Sequence, residues 1–439
     1  MHRFETYISA LITIIVAIVV SGCTSSEEDF NLPADTTPVA VRFDTYASKA
    51  ASTRAGNATN SLNNITSTEA LQQLGFGVFA YYTDDTNYPA ITKANSSDFI
   101  INKEVAPNFM FNQKVEYKDG KWQYQPLKYW PNEYGKDASS NTIDRVSFFA
   151  YAPYSDNAPE AIAPGIVSSD KSDPLITYTL PTDVTKSIDI LVGTRADGTP
   201  NIDLSKQSLQ EKVNFLFKHA LSRFSIDVRG VFEEVEAGSN EMIDPLKDGK
   251  GTLITIDGIK ISNLTIPGSG TLNLYTKKWT RNEDLSELQF AGAQINENLK
   301  DPGEDVIKSY AKDKTVTLPS GVTHTPQNIY AGDHHYTLIP PIGEQQDVQV
   351  EITYYVNTYD PSLLLTGGVS RVENRVKNKE VLTLKFEEGK IYTLHLLLGM
   401  TTVKFSVEVE DWKEPIIFNP MVTDWGEEGR GATVVIPKE

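Results

Sequence analysis

Apolar and polar residues alternate with a period of two in many parts of this chain. The clearest run is TTVKFSVEVEDW, in which Val403, Phe405, Val407 and Val409 share one face and the residues between them share the other. PVAVRFD, near the start, and DVQVEITYYV show the same alternation. A β-strand with one face in a core and one face in solvent has this period. The pattern therefore predicts strands at these positions.

Other short apolar runs are separated by turn sequences such as KDGK, RADG, PGSG and EEGK. Helix signals are few, and STEALQQLG, at residues 67–75, predicts one short helix that ends at Gly75. SLQEKVNFLFKHALSRF fits a helix or a turn that enters a strand, and the pattern leaves both open. Many short strands without a repeating strand–helix unit favour antiparallel sandwiches over a parallel sheet.

We therefore predict an all-β fold of two tandem antiparallel β-sandwich domains, transthyretin-like or Ig-like with Greek-key connections, and few short helices. The polar stretch ADGTPNIDLSKQSLQE, at residues 196–211, predicts the boundary between them. It divides the chain into an N-terminal sandwich over residues 55–206 and a C-terminal sandwich over residues 207–439. Each part has its own alternating strands and is long enough to bury a core.

Residues 1–22 have the order of a secretory signal peptide: a weakly basic start, the apolar run ISALITIIVAIVV and the small pair Ser21-Gly22. The apolar run is short for a membrane-spanning helix, which needs about 20 residues. Cys23 follows and is the one cysteine in the chain, so it has no partner for an internal disulfide. Val20-Ser21-Gly22-Cys23 resembles a bacterial lipobox, which predicts cleavage before Cys23 and acylation of its thiol. The alternative is an ordinary signal peptide with an incidental cysteine.

The segment after Cys23 predicts a tether, because TSSEEDFNLPADTTP is polar, acidic and poor in helix formers. Its Glu27-Glu28-Asp29 patch resembles the export signals of lipoproteins on the outer face of the outer membrane. Residues 23–54 are therefore interpreted as a tether followed by the first strand. Outer-membrane lipid is the first predicted partner.

Composition and motifs exclude several function classes. The net charge of −18 and the pI near 4.9 have the wrong sign for nucleic-acid binding. His334 and His335 are the most metal-like pair, but neighbours on a strand point to opposite faces, so one ion cannot easily bind both. Neither His-Glu-x-x-His nor Gly-x-Ser-x-Gly occurs. We predict no catalytic residue, no metal and no cofactor.

Two sets of ring-bearing side chains have a structural and a functional interpretation. Trp122, Tyr124, Tyr129 and Trp130 could stack on a sugar, but packing in a core or at a sheet edge is favoured. His219 and His395 lie inside apolar runs, which predicts hydrogen-bonded histidines that are buried or half-buried.

The chain contains, in order, the lipobox at Cys23, VAVRFD, STRAG (52–56), LGFGVFAYYT, FMFNQKVEY with WQYQPLKYWP, VSFFAYAP, FLFKHALSRFSIDV, YTLIPP, VEITYYV, GKIYTLHLLLG and VEVEDW. Each stretch is common by itself. In this order and spacing they resemble the fimbrillin family, the subunits of the type V pili of diderm bacteria. The resemblance covers almost the whole chain.

The resemblance implies cleavage by an arginine-specific protease in the loop after the first strand, here between Arg54 and Ala55. The surrounding SKAASTRAGNATNS is small and polar, as an accessible loop should be, although Arg54 could also be an ordinary surface arginine. The strand that is removed carries Val39, Val41 and Phe43 on its inward face. A strand of a neighbouring subunit then fills the open groove by β-strand addition.

The candidate donor strand is Thr433, Val434, Val435 and Ile436, within residues 419–439; it either pairs with a neighbour or closes its own domain. The resemblance implies a structural pilus subunit rather than an enzyme, first an outer-membrane lipoprotein and then part of an extracellular fimbrium. Other pilus subunits are its partners, with a host or bacterial surface ligand if it is an adhesive tip. The alternative is a surface lipoprotein that keeps its anchor and binds glycans as a monomer.

Overall fold

The structure is a computed structural model of the 439-residue chain. It describes residues 39–45, 62, 65, 68–84, 86–89, 106–131, 144–157, 166–170, 173–181, 183, 186–206, 212–231, 251–303, 305, 319–331, 336–341, 344–359 and 371–411. Within these ranges, no helix is both long enough and apolar enough to cross a membrane.

The described part of the chain forms one α-helix, α1, at Thr68–Leu74. The strands are β1 Phe43–Thr45, β2 Phe76–Asp84, β3 Met110–Lys118, β4 Lys121–Gln123, β5 Arg145–Ala152, β6 Ile166–Ser168, β7 Leu175–Thr179, β8 Leu191–Thr194, β9 Asn201–Leu204, β10 Val213–His219, β11 Ser222–Gly230, β12 Gly251–Asn273, β13 Lys278–Ala291, β14 Gln327–Asn328, β15 Thr337–Ile339, β16 Gln346–Tyr359, β17 Arg371–Leu384, β18 Lys390–Leu398 and β19 Val403–Asp411. Short 3-10 turns lie at Gly292–Gln294 and Glu297–Leu299.

The first of the three sheets in the described residues has eight strands and closes on itself. Its order is β1-β10-β8-β5-β2-β3-β4, with β9 paired to β5. The two ends of this order meet, because Ala40, just before β1, forms an antiparallel bridge with Tyr129, just after β4. The sheet and α1 enclose a core that includes Phe76, Phe148 and Phe215.

Strands β2 and β5 are buried on both faces. On β2, Phe76, Val78 and Ala80 point into the enclosed core, whereas Phe79 and Tyr81 belong to a second core. A strand buried on both faces has a continuous apolar sequence instead of an alternating one. This explains the run GFGVFAYY on β2, and VSFFAYA on β5 has the same cause.

The second core contains side chains of β2 and β5 together with those of two further sheets. The five-stranded sheet has the order β14-β11-β18-β19, with β15 paired to β11, and the six-stranded sheet has the order β17-β16-β12-β7-β6, with β13 paired to β12. Ile226 on β11, Leu394 on β18 and Ile352 on β16 are among the residues that meet in this core. Two of the described strand pairs, β1–β10 and β11–β18, are parallel. The predicted all-β sandwich architecture is confirmed.

Strand pairs cross the boundary predicted near residue 207. β7 pairs with β12, where Thr177 lies opposite Thr271. β10 pairs with β8, where Leu216 lies opposite Thr194. The sheets are therefore shared between residues on either side of this position, and the division of the chain into 55–206 and 207–439 stays a prediction.

The predicted short helix is confirmed as α1, and its end has a local cause. Gly75 has a φ of +67°, and its N–H donates to the Leu71 carbonyl oxygen at 2.9 Å. A Cβ at this position would lie 2.8 Å from the Val115 carbonyl oxygen, so glycine suits both the conformation and the space. The segment whose sequence fitted a helix or a strand forms β10 and β11.

Candidate functional site

The first strand lies beside a strand that is distant in sequence. β1 runs parallel to β10, with Phe43 opposite Val213 and Thr45 opposite Phe215. The Val213 N–H donates to the Arg42 carbonyl oxygen at 2.8 Å. One edge of the first strand is therefore hydrogen-bonded to the sheet.

The other edge pairs with the chain that follows β4. The Val41 N–H donates to the Lys128 carbonyl oxygen, and the Trp130 N–H donates to the Val39 carbonyl oxygen, each at 2.9 Å. Residues 39–45 thus have neighbours on both sides and close the sheet. If they left, two rows of backbone groups would lose their partners.

Phe43 is the main apolar anchor of this strand, and its side chain is almost fully buried. Burial of a phenylalanine stabilises a fold by about 1.5–3 kcal/mol. Its ring centroid lies 5.3 Å from that of Tyr124, 5.8 Å from Phe148, 6.0 Å from Phe215 and 6.4 Å from Phe76. We define the β1 groove as the part of the enclosed core that holds the first strand and is formed by Phe76, Trp122, Tyr124, Phe148 and Phe215.

Two side chains of the β1 groove also hydrogen-bond to the strand. The Tyr124 hydroxyl donates to the Val41 carbonyl oxygen at 2.9 Å, and the Trp122 indole N–H donates to Thr45 Oγ1 at 3.1 Å. Burial raises the pKa of the Tyr124 phenol above its ordinary value, so the hydroxyl keeps its proton and remains a donor. The two contacts are four residues apart on the strand and therefore help to fix its register.

The outward face of the first strand is weakly attached. Arg42 is exposed, and the half-exposed Asp44 accepts a hydrogen bond from Lys212 Nζ at 2.8 Å. Exposed ion pairs contribute little to stability. The strand is held mainly by its inward side chains and its backbone.

A buried aspartate attaches the chain that follows the predicted cleavage loop. Asp189 Oδ2 accepts from the Ile65 N–H at 3.0 Å, and the Asp189 N–H donates to the Leu62 carbonyl oxygen at 2.8 Å. Asp189 Oδ1 lies 2.9 Å from His219 Nδ1, and both side chains are buried. Leu62 lies eight residues after Arg54, so this attachment does not depend on β1.

The structure places the three residues of the predicted removable strand. Val41 and Phe43 are buried in the enclosed core, and Val39 is half-buried against it. The other predicted site residues lie outside the described residues: Cys23, Arg54, Ala55, Thr433, Val434, Val435 and Ile436. His334 and His335 lie outside them as well.

The aromatic residues considered for sugar stacking line the first strand. The Trp122 ring packs on Phe76 at a centroid distance of 4.8 Å, and Trp130 is buried. Tyr129 is the member of the set with an exposed side chain. The favoured interpretation, packing, is confirmed for the half-buried Trp122 and for the buried Tyr124 and Trp130. Their contact with the first strand was missed, although the spacing of Trp122 and Tyr124 already placed both on one face of a strand.

The two histidines in apolar runs have the predicted surroundings. His219 is buried beside Asp189. His395 is half-buried, with its Nε2 3.2 Å from Glu408 Oε2 and its Nδ1 3.9 Å from Asp227 Oδ2. In the ranges that the structure describes, no three His, Cys, Asp or Glu side chains are arranged to hold a metal ion.

A second apolar groove lies between two sheet edges. β17 ends the order of the six-stranded sheet, and β19 ends the order of the five-stranded sheet. The groove between them has a volume of about 730 Å³, and Leu382, Val403, Phe405 and Val407 contribute to its lining. These four side chains are half-buried although they pack against the second core. The described part of this sandwich therefore has a partly uncovered core next to β19.

The sheets described above make this chain a β-sandwich protein, and comparison with known proteins identifies its family. A family model described as fimbrillin-like matches residues 53–412. The chain is 24% identical over 426 residues to the fimbrium subunit Fim1C of Phocaeicola vulgatus, which covers 93% of this chain and 97% of that protein. Its fold is similar to that of a fimbrial protein from Bacteroides vulgatus, with 18% identity, a TM-score of 0.56 and coverage of 85% of this chain and 99% of that one.

The chain belongs to the fimbrillin-like family. The family predicted from the sequence is therefore confirmed, and with it the general function of a fimbrial subunit. The matched residues begin at 53, so β1 lies before the matched region.

Proposed function

We propose that this protein is a structural subunit of a cell-surface fimbrium that is exported as a lipoprotein, cut between Arg54 and Ala55 and then polymerised by strand exchange. One observation carries the proposal. The backbone and side-chain contacts described for residues 39–45 are made with residues 76–215, all beyond Arg54. A cut after Arg54 leaves the complete β1 groove on one product and the strand on the other.

Cleavage changes the strand from part of the chain into a separate ligand. Before cleavage, the covalent connection keeps the strand at a high effective concentration next to the β1 groove. After cleavage, the strand can dissociate, and the exposed rings of Phe76, Phe148 and Phe215 favour a new apolar strand. The attachment of Leu62 and Ile65 to Asp189 holds the new N-terminal segment in place.

The lipid anchor and the donor strand complete the proposal. Acylation of Cys23 would hold the precursor at the outer membrane until cleavage releases residues 55–439. The candidate donor is Thr433–Ile436, and a subunit that lacks a working donor would be a tip, where it could adhere to a host or bacterial surface. A glycan-binding monomer that keeps its anchor is the competing function.

The test uses the variant Arg54→Lys in the native host. Lysine keeps the positive charge but is not a substrate of an arginine-specific protease. We expect the variant to remain as a precursor with its acylated Cys23 and to be missing from fimbriae. Arg42→Lys makes the same change on the exposed face of the first strand and should be processed normally. Normal processing and fimbrial incorporation of Arg54→Lys would contradict the proposal.

A further inference from the structure

We infer that the β1 groove selects a strand with the pattern aliphatic–x–aromatic–x–hydroxyl, and that this strand comes from a different subunit, not from a second copy of this chain. The inference rests on the proposed function, because it concerns the strand that replaces β1. It is based on the three inward positions of the native strand that are buried, namely Val41, Phe43 and Thr45.

The three positions have different surroundings. Val41 is fully buried in the enclosed core, where an aliphatic side chain fits. Phe43 is surrounded by four aromatic rings at centroid distances of 5.3–6.4 Å, so a smaller side chain would leave a void among them. Thr45 is buried and accepts the indole N–H of the half-buried Trp122, so a hydroxyl at this position keeps that hydrogen bond.

The backbone contacts give the incoming strand a direction. The native strand runs parallel to β10. The Lys128 carbonyl oxygen accepts from one backbone N–H of the strand, and the N–H groups of Trp130 and Val213 donate to two of its carbonyl oxygens. The Tyr124 hydroxyl donates to a third carbonyl oxygen, that of Val41, and the Trp122 indole N–H donates to the Thr45 hydroxyl four residues later. A strand that runs in the same direction uses all these groups in one register, and the three side-chain positions are then fixed.

The C-terminal sequence of this chain does not contain the pattern. In the candidate donor, Val434 and Ile436 would take the first two positions, which puts an aliphatic side chain in the aromatic site and Lys438 at the hydroxyl site. Further upstream, Ile416 and Phe418 match the first two positions, but Pro420 falls at the third and supplies no side-chain oxygen. A second copy of this chain is therefore a poor donor for this groove.

The experiment uses the full chain with the recognition site of a sequence-specific protease in place of residues 52–56. The chain is cut there, and the β1 fragment stays in the groove. Peptides are then added, and release of the fragment is measured by native mass spectrometry. The probes are residues 37–46, the same peptide with Phe43→Ala, residues 414–422, residues 430–439, and residues 430–439 with Ile436→Phe and Lys438→Thr. The uncut chain is the control and should bind none of them.

We expect the 37–46 peptide to replace the fragment. Its Phe43→Ala form should bind the β1 groove with an affinity lower by about 100-fold or more. The unchanged peptides 414–422 and 430–439 should each bind with an affinity lower than that of the 37–46 peptide by about 10-fold or more. The 430–439 peptide with Ile436→Phe and Lys438→Thr should recover most of that loss in affinity. If residues 430–439 or 414–422 replace the fragment as well as the 37–46 peptide does, the groove accepts a second copy and the inference is wrong. If even the 37–46 peptide cannot enter, strand exchange in this groove fails, and the proposed function fails with it.

Discussion

The hydroxyl of Tyr124 donates a hydrogen bond of 2.9 Å to the backbone carbonyl oxygen of Val41, 83 residues earlier in the chain. The Tyr124 hydroxyl oxygen also accepts a hydrogen bond from the Lys128 N–H at 3.2 Å. A single side chain therefore connects the first strand to the segment that pairs with its edge. The contact is buried, and it joins the part of the chain that we propose is removed to the part that remains.

Tyr124→Phe removes this hydroxyl and keeps the ring that packs on Phe43. A net loss of about 1 kcal/mol is typical for one hydrogen bond, which corresponds to about a fivefold faster release of the β1 fragment from the cut chain. Native mass spectrometry of the cut protein over time measures this rate. Tyr129→Phe removes a hydroxyl from the exposed ring nearby and should leave the rate unchanged. Equal rates for both variants would show that Tyr124 does not hold the strand.

Phe43→Ala removes the anchor of the first strand and leaves a void among four rings. Phenylalanine-to-alanine changes in cores cost about 3–5 kcal/mol. We expect the midpoint of urea unfolding of the uncut chain to fall accordingly, as followed by tryptophan fluorescence. Asp44→Ala, the next residue and half-exposed, should cost less than about 1 kcal/mol. Similar midpoints for the two variants would mean that the strand is not seated as described.

Asp189→Ala removes the anchor of the chain that follows the cleavage loop. It leaves His219 and the Ile65 N–H without their buried acceptor, so we expect a loss of about 3 kcal/mol in the free energy of unfolding. Limited proteolysis should also cut near Ile65 more quickly. The matched control is Asp257→Ala, which removes an exposed partner of Arg375 and should cost less than about 1 kcal/mol. If Asp189→Ala is as stable and as resistant to proteolysis as this control, Asp189 does not hold the segment at Leu62 and Ile65 in place.

The buried Asp173 should make the free energy of unfolding depend on pH. Its side chain is buried and accepts a hydrogen bond from Asn273 Nδ2 at 3.1 Å, and burial raises its pKa from 3.8 to about 6. The folded state therefore holds a proton that the unfolded state releases between these values. This contribution to stability is complete below about pH 4 and is lost as pH rises to about 6, by about 3 kcal/mol at most.

Asp173→Asn should remove this loss, because an amide has no charge to bury. We expect the variant to be more stable than the natural protein at pH 7.5, with a smaller difference at pH 4.5, in urea unfolding at both values. Asp119→Asn makes the same chemical change in an exposed turn and serves as the control. A variant that is less stable than the natural protein by the same amount at both pH values would contradict this prediction.

Alternation of apolar residues predicted the faces of the strands well. Val41 and Phe43 are inward, and the run with Val403, Phe405 and Val407 forms β19 with these side chains toward the second core. The short helix was also predictable, because Gly75 ends it at a conformation that suits glycine. These features depend on local sequence.

The neighbours of each strand could not be predicted in the same way. A period of two shows which side chains share a face, but it does not show which strand lies beside which. The pairing of β7 with β12 across residue 207 and the parallel pairing of β1 with β10 are of this kind. The buried contact between Asp189 and His219 joins two runs 30 residues apart and has no spacing signal. The sequence of β10 was ambiguous because Phe215, Leu216 and Phe217 are consecutive and all buried, so its apolar residues do not alternate.

The central claim is that the first strand is removed before the subunit enters a fimbrium. The most direct test is the N-terminus and mass of this chain in fimbriae purified from its native host. We expect a chain that begins at Ala55, carries no lipid and lacks residues 39–45. A fimbrial chain that still begins at an acylated Cys23 and contains Phe43 would contradict the claim, because the β1 groove would then be occupied by its own strand.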